Sequence, residues 1–153
     1  MIAVGKKLPA FSLPRSDGST WKTSDVAGTR LVLFFYPKAM TPGCTLEGQD
    51  FRDLHAAFKR AKTTVLGISK DSCERQAKFR AKEKFPFELL SDEDEKVCRL
   101  FDVIREKSLY GRKFMGIERS TFLFDGAGKL AREWRKVRVT GHAAEVLEAA
   151  KAL

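Results

Sequence analysis

Apolar residues in this chain fall into short unbroken runs separated by stretches with helical spacing. The run Leu31-Val32-Leu33-Phe34-Phe35-Tyr36 predicts a central strand buried on both faces. Residues 63–69, Thr-Thr-Val-Leu-Gly-Ile-Ser, predict a second. Between them, Phe51, Leu54 and Phe58 recur at three- and four-residue spacing, giving a helix over 44–61 with one apolar face. Asp71 or Ser72 would cap a further helix reaching about Lys84. Residues 87–90 read as a short strand, and 92–101 as a short helix with Val97, Cys98 and Phe101 inward. The turn Asp125-Gly126-Ala127-Gly128-Lys129 joins strands at 120–124 and 130–135 into a hairpin. Residues 142–153 form a closing amphipathic helix with Val146, Leu147 and Ala150 inward. Ahead of all this, Pro14 and the turn Asp17-Gly18 mark an N-terminal β-hairpin within 11–24.

Strands alternating with helices, then a hairpin and a helix, define an α/β protein whose mixed central sheet is flanked by helices. The 153 residues suit one domain, 1–153, with room for a core. No apolar run reaches transmembrane length, and the N-terminus lacks a signal-peptide core, so the expected location is cytoplasmic, away from membranes. The net charge of +9 raises nucleic acid as a partner. The basic residues are spread widely without interleaved aromatics, so a solvated basic surface is expected and nucleic-acid binding is not. Three scattered cysteines (44, 73, 98) and two histidines offer no metal-ligand cluster.

Chemistry concentrates in Pro37-Lys38-Ala39-Met40-Thr41-Pro42-Gly43-Cys44. This segment follows the central strand and opens a helix. There, unpaired N–H groups and the helix dipole favour thiolate, the nucleophilic form. Thr41 stands where a thioredoxin-type Cys-x-x-Cys motif carries its first sulfur. The plan is therefore thioredoxin-like, with an N-terminal hairpin extension and an insertion, and the chemistry is that of a single sulfur beside a hydroxyl. Disulfide exchange is disfavoured. Glu47 is either a carboxylate answering the helix dipole or a partner for an arginine. Cys98 reads as a core thiol. Phe79, Phe85, Phe87, Leu109 and Met115 read as core before substrate rim.

Residues 35–48 resemble the Pro-x-x-x-Thr-x-x-Cys signature of peroxiredoxins. Thr-Pro-Gly-Cys-Thr with Glu47 resembles the bacterioferritin comigratory protein / peroxiredoxin Q subfamily, and further matches at 50–53, 65–69, 91–92 and 116–122 extend over nearly the whole chain. The resemblance implies a thiol-dependent peroxidase acting on hydrogen peroxide and organic hydroperoxides without metal, haem or other cofactor. Cys44 would be the peroxidatic cysteine. Thr41 would hydrogen-bond the peroxide, and Pro37 would shield the thiolate. Arg119, oriented by Glu47, would hold thiolate and developing oxyanion, with backbone N–H groups around Gly43 completing the cradle. A thiol reductant (thioredoxin, glutaredoxin or glutathione) and a monomeric state are implied as well.

The chain departs from the subfamily at the resolving cysteine. Its two usual places hold Gln49 and Arg80. Cys73 precedes Arg80 by seven residues, ~10 Å along a helix, while a disulfide needs Cα atoms within about 7 Å. The expectation is a one-cysteine cycle completed by an outside thiol. A two-cysteine cycle with Cys73 resolving stays open, as does a non-enzymatic holdase or basic binding module of the same fold.

Overall fold

The computed structural model describes residues 2–153. A small antiparallel hairpin comes first, β1 (Ser12–Pro14) and β2 (Thr20–Lys22), followed by a short 3-10 turn. The central strand β3 (Arg30–Phe35) leads into α1 (Pro42–Asp53) and α2 (His55–Arg60). Then come β4 (Thr63–Ser69), α3 (Cys73–Glu83), β5 (Glu88–Ser91) and α4 (Lys96–Leu100). A second hairpin, β6 (Ile104–Leu109) and β7 (Arg112–Ile117), precedes β8 (Ser120–Phe124), β9 (Leu130–Trp134) and α5 (His142–Lys151). The main sheet has the order β5-β4-β3-β8-β9. Its first three strands are parallel, β8 is antiparallel to β3, and β9 is antiparallel to β8. This is the mixed sheet of a thioredoxin-like fold.

Alternation along β3 splits the core in two. Leu31, Leu33 and Phe35 face one apolar cluster with Phe101, Phe122 and Trp21; Val32, Phe34 and Tyr36 face the other with Phe51, Phe58 and Phe79. A strand buried on both faces has no polar side to show, which is why its sequence is an unbroken apolar run. Gly48 lets α1 close onto the second cluster. A Cβ there would lie 2.3 Å from Cζ of Phe85, whose ring is stacked on Phe87 and edge-on to Phe79. Alanine's helix propensity favours Gly48→Ala by about 1 kcal/mol, but overlap with a ring that cannot move away outweighs it. The expected outcome is net destabilisation of about 1–2 kcal/mol in urea unfolding.

Several sequence expectations need correction. The single helix over 44–61 is two, because Leu54 leaves helical geometry and ends α1. Of 92–101, only Lys96–Leu100 is helical; Asp92 is instead an anchor, its carboxylate accepting the N–H groups of Val97 and Cys98. Residues 104–117, where the sequence pattern predicted no element, form the β6–β7 hairpin. Tyr110 and Gly111 turn it with positive φ, and it projects from the core. Leu109 and Met115 are exposed on it rather than packed, while Phe79, Phe85 and Phe87 are core residues. Between Asp71 and Ser72, Ser72 is the residue that caps α3.

Candidate active site

The site lies at the C-terminal edge of β3. Pro42 opens α1 as its first residue, where a missing N–H costs nothing and a fixed φ suits the helix. Thr41, in extended geometry, is the N-cap, yet its hydroxyl does not cap the helix. It donates instead to the carbonyl of Lys38 at 2.7 Å, which leaves its oxygen lone pairs available to a ligand. The Thr41 carbonyl takes the N–H of Thr45. Helix geometry then leaves the N–H groups of Gly43 and Cys44 without intrahelical partners. Cys44 is buried, 2% exposed, in this first turn. Pro37 is half-buried just past β3.

Sheet topology delivers the arginine. Antiparallel pairing puts Ser120 of β8 beside Phe35 at the end of β3, so Arg119 emerges next to the loop that leads to Cys44. Its guanidinium donates from Nη2 to Cys44 Sγ at 3.4 Å and from Nη1 to Glu47 Oε1 at 2.6 Å. Glu47 lies one helical turn beyond Cys44, hence on the same face of α1. One planar fork thus spans sulfur and carboxylate, a geometry lysine lacks. Gly43 makes room for it: a Cβ there would sit 3.1 Å from Nη2. Glu47 is 1% exposed and its Oε2 has no partner among the described residues. Burial pushes its carboxyl up to about 7, against the pull of Arg119.

The structure therefore brings Cys44, Arg119, Glu47 and Gly43 together, with Thr41 one turn away. The other thiols are elsewhere. Cys98, on α4, is fully buried, and burial and the Asp92 carboxylate push its thiol far up. Cys73 is a half-buried free thiol at the first residue of α3. Gln49 and Arg80 are engaged in polar contacts, with Glu83 and Glu88 respectively. Sequence reasoning missed Lys107, a half-buried lysine on β6 whose ammonium is held below its usual range by burial and by Arg119. Also missed were Asp71 and Arg75, which hold the loop before Cys44.

A buried cysteine in the first turn of a helix, with an arginine donating to its sulfur, has the surroundings of a reactive thiol. The AhpC/TSA family profile matches residues 4–133. The chain is 48% identical over 150 residues to peroxiredoxin Bcp of Bacillus subtilis, covering 98% of this chain and 96% of that one. It is 51% identical to peroxiredoxin Bcp of Xanthomonas campestris, covering 95% and 94%. A solved structure of Xylella fastidiosa PrxQ superposes with a TM-score of 0.94 at 42% identity, over 99% of this chain and 97% of that one. The chain belongs to the AhpC/TSA peroxiredoxins, in their Bcp/peroxiredoxin Q subfamily, and is a thiol-dependent peroxidase. That membership favours the catalytic reading over a non-enzymatic binding module. Among the described residues no helix is long and apolar enough to cross a membrane.

Proposed function

We propose that Cys44 reduces hydrogen peroxide and alkyl hydroperoxides in a one-cysteine cycle. The observation that carries this reading is the Arg119 fork, 3.4 Å from the sulfur and 2.6 Å from Glu47. The Cys44 thiolate attacks one peroxide oxygen in line. An S–O bond forms as the O–O bond breaks, sulfur is oxidised to sulfenic acid, and the second oxygen leaves as water or an alcohol after taking a proton. Thr41, its own proton given to Lys38, accepts the peroxide O–H. Arg119 and the Gly43 and Cys44 N–H groups meet the charge that grows on the oxygens. In this reading the half-buried Pro37 shields the thiolate from bulk water. A structure of the bacterioferritin comigratory protein of Xanthomonas campestris concerns its alkyl peroxide reduction activity, which supports alkyl hydroperoxides as the substrate class here.

The cycle closes when an outside thiol (thioredoxin, glutaredoxin or glutathione) attacks the sulfenic sulfur and expels water. A second thiol then attacks the reductant sulfur of this mixed disulfide, so that the Cys44–sulfur bond breaks, Cys44 leaves as thiolate and the reductant is left as a disulfide. Because Cys44 is buried, the first turn of α1 must open for that step, and short helix ends open readily. The working unit of this reading is a monomer. A second reading, with Cys73 resolving, draws on one observation: the residues flanking Cys73, Asp71 and Arg75, touch Ala39 on the loop before Cys44.

Alkylation mass spectrometry after one equivalent of hydrogen peroxide tests both. The expected result is loss of Cys44 alone, trapped as sulfenic acid. A Cys44–Cys73 disulfide would replace the one-cysteine cycle with the second reading. Three intact thiols would remove Cys44 as the peroxidatic residue.

A further inference from the structure

Asp71 and Arg75 do not face Cys44, but they grip the loop that delivers it. The N–H of Ala39 donates to Asp71 Oδ2 at 2.8 Å, and the carbonyl of Ala39 accepts from Arg75 Nη2 at 3.2 Å. The two side chains are joined to each other, Arg75 Nε donating to Asp71 Oδ1 at 3.0 Å. A single ion pair therefore holds both backbone polar groups of one residue. The pair is itself anchored. Ser69 Oγ donates to Asp71 Oδ2 at 2.6 Å, and Gln76 Nε2 donates to Ser69 Oγ at 3.0 Å and to the Leu90 carbonyl at 2.9 Å. The Tyr36 hydroxyl closes the network on Gln76 Oε1. Ser69 and Gln76 are fully buried, so this network ties the loop to the ends of β3, β4 and β5.

Helix capping does not account for Asp71, because Ser72 already accepts the Arg75 N–H at 3.2 Å. The carboxylate is only 7% exposed and is directed at the loop. The residue after Ala39 explains the need. Met40 has φ of 64°, a left-handed conformation that a residue bearing a side chain keeps only when its surroundings impose it. That turn sends the chain into Thr41, whose hydroxyl closes the loop on Lys38, and so into the first turn of α1.

We propose that Asp71 and Arg75 are positioning residues of the peroxidase reaction. Their ion pair fixes the Ala39 peptide, and through the Met40 turn it sets where Thr41 and the Cys44 thiolate meet the peroxide. This rests on the reading of Cys44 as the attacking thiolate. A reaction that needs in-line geometry is sensitive to small displacements: about 1 Å costs roughly a hundredfold. Alkylation of a thiolate by a small electrophile needs no such cradle.

The test compares two reactions at one sulfur. Oxidation of Cys44 by hydrogen peroxide is followed by stopped flow, and carboxamidomethylation of Cys44 by iodoacetamide is followed by mass spectrometry. The variants are Asp71→Asn, which keeps the shape, and Arg75→Ala, whose wild-type side chain is 43% exposed and whose loss leaves the core untouched. Both are expected to lose at least about tenfold in peroxide rate while alkylation stays within about threefold of wild type. Arg75→Lys, which retains a cation but reaches only one of the two partners, is expected to recover part of the loss. A peroxide loss smaller than tenfold in both variants, or an alkylation rate that falls in parallel, overturns the proposal. A wild-type protein that fails to oxidise at Cys44 defeats the underlying reading instead, and is seen before any variant is made.

Discussion

Cys44→Ser is expected to reduce peroxide consumption to the level of buffer while leaving the fold intact. Oxygen replaces sulfur in a pocket where the residue is 2% exposed, so the change in volume is small, and a hydroxyl can still accept from Arg119 Nη2. What is lost is the nucleophile. A serine hydroxyl is not ionised near neutrality, and the hydrogen-bond partner of residue 44 among the described residues is a guanidinium, which only donates. Two-electron oxidation also needs an atom that can take up oxygen, which sulfur can and a hydroxyl cannot. The measurement is peroxide consumption with excess reductant, beside circular dichroism to show that the variant is folded. Cys73 and Cys98 remain in this variant as internal controls. Retained turnover would mean that one of them, or neither thiol, carries the chemistry.

How much of this was legible before the structure depends on whether a residue acts locally. The Cys44 loop was legible because strand, loop and helix are consecutive in sequence and leave local marks, the apolar run 31–36, the Thr-Pro-Gly-Cys segment and the apolar spacing that follows, although the helix begins at Pro42 rather than at the expected 44. Arg119 was visible only through family resemblance, because its role arises from an antiparallel register, Ser120 against Phe35, that no local pattern encodes. The β6–β7 hairpin escaped because its alternation is weak. It packs little against the core, so Lys107, Phe114 and Met115 carry no buried periodicity to read. Asp71 was seen as a candidate cap, and the ambiguity with Ser72 concealed its contact with a loop more than thirty residues away. The helix break at Leu54 left no glycine or proline as a marker.

Arg119→Ala is expected to slow Cys44 oxidation by about 10²–10³, the usual consequence of removing a preorganised donor from a developing oxyanion. Arg119→Lys should recover little, since an ammonium reaches sulfur or carboxylate but does not fork between them. The truncation also strands Glu47, which is buried with one oxygen already unpartnered and Arg119 on the other. A buried carboxyl without its cation takes up a proton rather than stay ionised. Wild type holds this balance near neutrality, with the Glu47 carboxyl pushed up to about 7 by burial despite Arg119. Above that pH Glu47 is an anion and anchors the fork through a charge-assisted bond; below it the bond weakens and Arg119 is free to turn from the sulfur. The peroxide rate of wild type should therefore fall as pH drops through about 7, and Glu47→Gln should lack that component. Stability runs the other way. The folded value lies above the ordinary 4.5, so the folded state holds the proton more tightly; the stabilisation this gives is complete below 4.5 and is lost as pH rises through about 7. Over that window the loss is on the order of 3 kcal/mol for this group, and urea midpoints of Glu47→Gln should lack the slope. Activity and stability thus have opposite pH preferences at one carboxyl. If both profiles of Glu47→Gln matched wild type, the carboxyl would be a bystander and Arg119 would hold its place at the sulfur without it.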